Sequence, residues 1–435
     1  MKRQTILSAL IACFAVAACV VVPPVGNETR PMTAVDTSWQ VGKGFDLDEA
    51  KTLIELCTSL DYSVGSPSYD TPGVAQPQNV VGWEEIFPTP ESILPSNGPP
   101  TPIGFYKNSW RLYRNKALDK NNPPIYIIGI RGTIDDDRSV LQNALASTTS
   151  AQVRIQARPD RVLSFKLAET PRAEVHLGWT YGMAELMFDP QLGILKALHD
   201  RVPPGSRILI TGHSQGAAIA TLVHAFLHYA ITADPSNKFG LRDSRYTLKS
   251  YVFAQPKPGN WQFAMDFARI AASRGTAFVI NNDRDWVPQV PLSIQSFDEP
   301  GTDLAAVLNA QPSLRGTINS ILASGAIGFA QGERTLVALQ IQDETIRSIE
   351  RGNRFEDRYL ESGAAADGAT PAYSIDYTVV GTQVPIFGSA SPNIPIDHSG
   401  MAQHHGPTYR MLLESPEALG GPPRNIEPAV SYNGM

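Results

Sequence analysis

The chain has 435 residues, of which 42% are hydrophobic and 18% are charged, and this composition predicts a globular protein with one large domain or two. Its formal net charge of -6 gives no basic footprint, which argues against nucleic acid as a partner. The 35 prolines and 34 glycines indicate many loops.

The N-terminus has the pattern of an export signal. A positively charged start, MKRQ, precedes the apolar stretch TILSALIACFAVAA, which is too short to span a bilayer comfortably. The stretch ends in VAAC and resembles the lipobox of bacterial lipoproteins, which predicts a lipid anchor on Cys19. Plain secretion, with cleavage near residues 15–17, is the alternative. Valine rather than aspartate follows Cys19. By resemblance to Gram-negative lipoproteins, this favours anchoring in the outer membrane over retention in the inner membrane.

The chain is expected to divide into three parts. Residues 1–18 form the signal peptide, and residues 19–44, rich in proline, threonine and glycine, form a tether. Residues 45–435 form the folded domain. Cys57 is the cysteine that signal removal and acylation would leave, so no intrachain disulfide is expected. Its position in a helical pattern predicts a small, buried side chain.

Strand and helix patterns alternate through the first part of this domain. A helix is predicted over residues 46–60, followed by a proline-rich surface loop over residues 63–102. Such alternation is typical of a mostly parallel sheet that helices cover on both faces. The predicted strands cover residues 123–130, 207–211, 250–254 and 276–281. The predicted helices cover residues 179–200 and 216–232.

Residues 300–350 have a different character. They contain three helical patterns with no strand pattern between them, DLAAVLNA, TINSILASGAIGFAQ and RTLVALQIQDETIRSIE. We interpret this segment as a helical insertion into the sheet-forming domain, which extends to about residue 362.

The segment ILITGHSQGAAIATL, residues 208–222, carries the strongest chemical signal. Its predicted strand runs into a Gly-x-Ser-x-Gly turn and then into a predicted helix. A tight turn of this kind lifts Ser214 clear of the sheet, and its glycines avoid collisions with the neighbouring strand and helix. The backbone N–H of Gln215 then lies at a helix N-terminus, where it can stabilise a developing oxyanion. We therefore predict that Ser214 is a nucleophile.

At this point the sequence resembles the class 3 (fungal-type) lipase family, which has the α/β-hydrolase fold. The match consists of five separate segments in the family's order and covers about residues 45–291 well and the rest poorly. They are IGIRGT (128–133), VHLGW (175–179), ITGHSQG (210–216), VFAQPKPGN (252–260) and NNDRDWVPQVP (281–291). The resemblance implies an α/β-hydrolase fold and a Ser-His-Asp triad.

The resemblance assigns Asp285 as the triad acid. The residues alone agree in part, because a carboxylate just past a predicted strand lies at the carboxyl edge of the sheet. Asp283 is the alternative, two residues earlier. The following Val287-Pro288 favours Asp285, since it fixes the register of the family's Asp-x-Val-Pro motif.

The histidine is expected after Asp285 in the chain, which leaves His398, His404 and His405. The family places it just before a C-terminal helix, often a few residues ahead of a tyrosine. The sequence HHGPTYRMLLES fits this arrangement, and Pro407 suits the start of the helix. We predict His405 as the base, with His398 and His404 as alternatives.

The resemblance implies two oxyanion donors, from the backbone of Thr133 and Gln215. Gln215 replaces the leucine that is commoner in the family and adds a polar group near the oxyanion. A triad mechanism needs no metal and no organic cofactor. His224 and His228 could bind a metal at their i, i+4 spacing, but the sequence suggests no third ligand, so buried or half-buried helix positions are the prediction.

The predicted function is hydrolysis of lipid esters through an acyl-enzyme, with a lipid or ester substrate. A phospholipase A, a short-chain esterase or an acyltransferase on the same fold is one alternative, since the triad does not fix the substrate. A catalytically inactive surface lipoprotein is another. Two segments are lid candidates, residues 134–174 and the apolar stretch 320–331, for which core packing is the alternative.

Overall fold

The computed structural model describes eight ranges of the chain, and these contain all of the elements below. They are residues 43–62, 82–87, 103–116, 124–134, 137–291, 355–363, 376–390 and 401–420. The predicted signal peptide, the predicted tether up to residue 42, His398, and the helical patterns of residues 300–350 lie outside these ranges.

A seven-stranded sheet forms the centre of the fold. Its strands, in spatial order, are β1 (Trp83–Phe87), β2 (Trp110–Asn115), β3 (Ile125–Ile130), β8 (Arg207–His213), β9 (Thr247–Phe253), β10 (Ala277–Asn282) and β12 (Thr382–Ile386). The pairs from β3 to β12 are parallel, and β1 and β2 continue the sheet antiparallel. The predicted mostly parallel α/β-hydrolase fold is confirmed.

Helices cover both faces of the sheet. One face packs against α3 (Leu177–Phe188), α4 (Ile194–Arg201), α5 (Gln215–Thr232) and α6 (Trp261–Ile270). The other packs against α1 (Leu47–Tyr62), α7 (Gly406–Glu414) and α8 (Pro416–Gly420). Because both faces are covered, the residues of β3 are all buried, as its unbroken apolar run predicted.

Two small sheets are formed by strands that come between the main strands in the chain. One has the order β11 (Leu360–Ser362), β6 (Arg161–Lys166), β5 (Gln152–Arg158), and the other pairs β4 (Thr148–Ser150) with β7 (Glu174–His176). The short helix α2 (Asp137–Ala144) precedes them. Strand β11 falls inside the range predicted as a helical insertion, so the end of that range is extended and pairs with β6.

Two local predictions need correction. The single helix expected over residues 179–200 is two helices, because Asp189 caps the break and its Oδ1 accepts the N–H groups of Gln191 and Leu192, both at 2.8 Å. Pro190, next to the break, also disfavours a continuous helix there. The predicted loop over residues 63–102 contains β1, an edge strand whose polar middle residues gave no apolar signal.

Cys57 is buried in α1, as predicted, and its Sγ lies 3.3 Å from Thr211 Oγ1 on β8. Burial raises the pKa of its thiol well above the usual range, so the thiol remains protonated and unreactive. Across the described ranges, none of the helices combines the length and the apolar composition that crossing a bilayer requires.

Candidate active site

The turn from β8 to α5 holds Ser214 in a sparsely populated backbone conformation. Its φ is 57° and its ψ is -129°, while Gln215 already begins α5. The Ser214 N–H donates to the carbonyl of Phe253 at 3.0 Å, which ties the turn to the end of β9. The side chain is partly exposed although its neighbours are buried. The strand, the turn and the helix therefore present one hydroxyl at the carboxyl edge of the sheet.

The glycines on either side of Ser214 are required by close backbone contacts. A Cβ added to Gly216 would lie 2.4 Å from the carbonyl oxygen of Ile130, and one added to Gly212 would lie 2.3 Å from the carbonyl oxygen of Gly216. Backbone atoms cannot move aside as a flexible side chain can. Both glycines thus let strand, turn and helix approach closely enough to form the elbow, as the sequence predicted.

Ser214, His404 and Asp285 form a continuous hydrogen-bonded chain. The Ser214 hydroxyl lies 2.9 Å from His404 Nε2, and His404 Nδ1 lies 2.8 Å from Asp285 Oδ2. Because Asp285 accepts from Nδ1–H, Nε2 is left as the acceptor for the serine proton. Asp285 and His404 are buried, at 4% and 3% exposure, so water competes little for these bonds. The arrangement can deprotonate the serine during an attack on a carbonyl carbon.

Two further groups orient the Asp285 carboxylate. Oδ1 accepts a hydrogen bond from the N–H of Val287 at 2.9 Å, and Oδ2 accepts one from the hydroxyl of Tyr409 at 2.8 Å. Burial and the nearby Asp285 charge raise the pKa of Tyr409 well above its usual range, so it remains a donor. The alternative acid, Asp283, is instead bonded to the N–H and hydroxyl of Ser389.

The choice of His405 is corrected by the structure, because His404 is the histidine that contacts Ser214 and Asp285. Helix α7 begins at Gly406, one residue before the predicted Pro407, and His405 is its extended N-cap residue. The carbonyl of His405 accepts the N–H of Thr408 at 3.0 Å. Because His404 lies in the turn between the 3₁₀ helix Met401–Gln403 and α7, a shift of one residue decides which histidine faces the serine.

The loop that carries His404 is bound to the ends of two central strands. Asn282, the last residue of β10, donates through Nδ2 to the carbonyl of Gln403 at 2.8 Å. His213, the last residue of β8, bonds through Nε2 to the carbonyl of His404 at 2.7 Å. The histidine therefore reaches the serine from a distant part of the chain but is held by the same sheet edge.

The segment after β3 runs directly beside the nucleophile. A Cβ added to Gly132 would lie 3.6 Å from the Cβ of Ser214, and the next residue, Thr133, is half-buried. Thr133 Oγ1 accepts from Asn143 Nδ2 at 3.0 Å. Gln215 is the first residue of α5, where a helix has no internal acceptor for the backbone N–H. The two predicted oxyanion residues thus lie at the ends of β3 and β8.

The side chain of Gln215 connects these two segments through α2. Its Nε2 donates to Asn143 Oδ1 at 2.8 Å and to the carbonyl of Ser139 at 3.1 Å. Asn143, which in turn contacts Thr133, also accepts from Trp179 Nε1 at 2.9 Å. Sequence reasoning noted that Gln215 is polar but did not find Asn143, because no motif spacing links the two positions.

Two of the remaining described histidines, His224 and His176, have structural partners. His224 Nδ1 lies 2.8 Å from Ser250 Oγ, and burial lowers the pKa of this histidine to about 3. His176 caps α3 by accepting the N–H of Trp179, and burial likewise lowers its pKa to about 3. Within the ranges that the structure covers, there is no group of three or more side chains suited to hold a metal ion.

Comparison with known proteins gives a match over the part of the chain that builds the elbow. Residues 127–294 match the class 3 lipase family. The match begins within β3 and ends just past Asp285, and it includes Thr133, Ser214 and Gln215. It does not extend to His404, whose hydrogen bonds to Ser214 and Asp285 come from the structure alone.

Fungal proteins are similar to part of the chain. A secreted mono- and diacylglycerol lipase of Malassezia globosa is 32% identical over 130 residues, which are 29% of this chain and 37% of that protein. A secreted mono- and diacylglycerol lipase of Gibberella zeae is 31% identical over 150 residues, which are 34% of this chain and 42% of that protein. The chain therefore aligns with less than half the length of these relatives.

A solved structure of M37 lipase covers more of the chain at lower identity. The two share 16% sequence identity with a TM-score of 0.44, over 86% of this chain and 95% of that one.

Proposed function

We propose that the chain is a carboxylic ester hydrolase that acts on lipid esters through Ser214, His404 and Asp285. The observation that carries this proposal is the buried hydrogen-bonded chain from the serine to the aspartate, set on an elbow at the edge of a parallel sheet. The class 3 lipase match over residues 127–294 and the fungal mono- and diacylglycerol lipases that resemble it support lipid esters as the substrate class.

In the proposed reaction, Ser214 Oγ attacks the ester carbonyl carbon while His404 Nε2 takes the hydroxyl proton. The imidazolium that forms is stabilised by the Asp285 carboxylate at Nδ1. The tetrahedral intermediate then collapses, the C–O bond to the alcohol breaks, and His404 gives its proton to the leaving alcohol. Water, deprotonated by the same histidine, attacks the acyl-enzyme and releases the carboxylic acid.

The backbone N–H groups of Thr133 and Gln215 are the proposed oxyanion donors. Both belong to segments held at the sheet edge next to Ser214, so they need little reorganisation when charge develops. The Gln215–Asn143–Thr133 hydrogen bonds support this role, because they link the two donors to each other. The side chains thus fix the spacing between two backbone groups that do the stabilising.

Replacing Gln215 with leucine tests this link. Gln215→Leu keeps the backbone donor but removes the bonds to Asn143 and Ser139. We expect kcat to fall about tenfold with little change in KM, since a lost oxyanion donor costs about 10²-fold and here the donor is only misplaced. Steady-state kinetics on a p-nitrophenyl ester measures the effect. An unchanged kcat would show that the spacing does not depend on this side chain.

The substrate class is tested with purified protein and the Ser214→Ala variant as the blank. Emulsified mono-, di- and triacylglycerols, phospholipid vesicles and p-nitrophenyl esters of increasing chain length are offered in parallel. We expect release of fatty acid from the glycerides. Hydrolysis confined to phospholipid, or to soluble short-chain esters, would replace the lipase assignment with one of the other esterases. No hydrolysis of any of them would favour a binding lipoprotein.

We also propose that the protein is exported and anchored in a membrane through acylated Cys19. The basic and apolar N-terminal pattern supports export, as do the relatives named as secreted. The lipobox-like VAAC sequence supports the anchor, which in a Gram-negative host would lie in the outer membrane. The catalytic domain would then work beside a lipid surface, joined to it by residues 19–44.

Cys19→Ala separates anchoring from simple secretion. In cells fed an alkyne analogue of palmitate, we expect the full-length chain to carry the label and to sediment with membranes. We expect the Cys19→Ala chain to carry no label and to leave the membrane fraction. Unlabelled wild-type protein in the soluble fraction would contradict the anchor and would leave the proposed esterase activity untouched.

A further inference from the structure

A second histidine–carboxylate pair lies directly behind the triad. His213 Nδ1 lies 3.3 Å from Asp61 Oδ2, and both side chains are buried, at 2% and 7% exposure. Asp61 comes from the last turn of α1, far from the elbow in sequence. The ring of His213 also lies close to the ring of His404, with centroids 4.7 Å apart. The pair therefore contacts the base loop without touching the serine hydroxyl.

Each member of this pair also holds the backbone of a segment that serves the reaction. His213 Nε2 lies 2.7 Å from the carbonyl of His404, and Asp61 Oδ1 accepts the N–H of Gly132 at 3.1 Å. Gly132 directly precedes the proposed oxyanion donor Thr133. The base loop and the oxyanion segment are thus joined by two side chains, one of which is the neighbour of Ser214 itself.

The partners of His213 determine how many protons its ring carries. A backbone carbonyl can only accept, so Nε2 must donate to the carbonyl of His404. Nδ1 faces the Asp61 carboxylate, which accepts the Gly132 N–H through its other oxygen and offers Nδ1 an acceptor. Nδ1 then also donates. Both ring nitrogens are donors only in the imidazolium form.

The groups around His213 agree with a charged ring. Burial by itself lowers the pKa of His213, but the Asp61 carboxylate, the carbonyl of His404 and the Asp285 charge outweigh it, and the pKa is raised. Tyr409 packs its ring edge against His213 and stays neutral. A buried ion pair is a poor source of stability, because its desolvation offsets most of its attraction. The presence of the Asp61–His213 pair is better explained by a role in positioning the segments to which it is bonded.

We propose that Asp61 and His213 are positioning residues, an ion pair that fixes the base loop and the oxyanion segment relative to the nucleophile. This inference rests on the proposed function of Ser214 and His404. Neither residue of the pair touches the reacting atoms. Both act through the backbone, His213 on the carbonyl of His404 and Asp61 on the N–H of Gly132.

Two substitutions of Asp61 separate geometry from charge. Asp61→Ala leaves the Gly132 N–H and His213 Nδ1–H without their acceptor, and we expect kcat per active site to fall about 10- to 100-fold with KM little changed. Asp61→Asn can accept from Gly132 through its oxygen and donate to a neutral His213 Nδ1 through its amide. We expect it to recover most of the lost kcat. Equal losses in the two variants would overturn the positioning role.

A matched control is Asp266→Ala, another buried carboxylate that accepts the N–H groups of Glu169 and Thr170. Active sites are counted by titration with a fluorophosphonate, so that unfolded protein does not lower kcat. We expect Asp266→Ala to lower Tm but to leave kcat per titrated site within about twofold, because its partners belong to another part of the fold. A loss equal to that of Asp61→Ala would reduce the pair to a general stabilising role.

Nitrogen NMR of the histidine rings tests the protonation state without any activity assay. In the full chain labelled with ¹⁵N-histidine, the His213 signals are assigned by their loss in His213→Gln. At pH 7 we expect protons on both ring nitrogens in the wild type and on Nε2 alone in Asp61→Asn. A wild-type His213 without a proton on Nδ1 would overturn the ion pair. The NMR result does not depend on whether Ser214 is a nucleophile. Failure of the ion-pair inference can therefore be told apart from failure of the proposed hydrolase function.

Discussion

Ser214→Ala should lower kcat/KM for a p-nitrophenyl ester by about 10⁴-fold or more, because triad members act as a unit and removal of the nucleophile alone abolishes the acyl-enzyme route. The substitution removes one oxygen from a partly exposed side chain and leaves the backbone of the turn in place. The fold should therefore survive. Residual hydrolysis should reflect binding and oxyanion stabilisation only, without a burst of product.

Ser389→Ala provides the matched control for this experiment. Ser389 is an exposed serine that bonds Asp283, the carboxylate that does not face His404. We expect its kcat/KM to stay within about twofold of the wild type. If Ser214→Ala kept more than about one-tenth of the wild-type activity while Ser389→Ala behaved as expected, another residue would be the nucleophile.

His404→Ala should lower kcat by about 10⁴-fold as well, since the serine proton then has no acceptor. The adjacent His405→Gln should retain kcat within about tenfold, because His405 caps α7 through its carbonyl and its side chain makes no capping hydrogen bond. The pair of variants is informative because the two histidines are neighbours in sequence. Kinetics on a soluble ester measures both.

Folding controls distinguish loss of catalysis from loss of the folded structure in the two histidine variants. Circular dichroism and Tm are measured for both variants, and His404→Gln serves as a second replacement that can still fill the buried space. We expect His404→Gln to be as inactive as His404→Ala while it stays folded. The reverse order, with His405→Gln inactive and His404→Gln active, would contradict the geometry of the hydrogen-bonded chain.

The sequence predicted the strand–turn–helix elbow around Ser214 because the constraints on such a turn are local. Strand, turn and helix follow one another over residues 207–232, and the apolar run, the two glycines and the small helix residues all express one compact geometry. The parallel strands were found for a similar reason, since burial on both faces leaves an unbroken apolar run. Strand β1 was missed because an edge strand carries little of that signal.

The histidine could not be predicted to one residue because its position depends on where a helix begins. His404 and His405 are chemically identical neighbours, and only the start of α7 at Gly406 turns one of them toward Ser214. The supporting contacts had even less signal. Asp61 contacts His213, and Gln215 contacts Asn143, between segments that are distant in the chain. A single sequence contains no spacing rule for such pairs.

The central claim is that Ser214 is a nucleophile activated by His404. Its most direct test is reaction of the purified chain with an alkyl fluorophosphonate, followed by mass spectrometry of its peptides. We predict one phosphonyl adduct, on the peptide that contains Ser214, and strongly slowed labelling in His404→Ala. An adduct on a different residue, or no adduct on folded protein, would contradict the account.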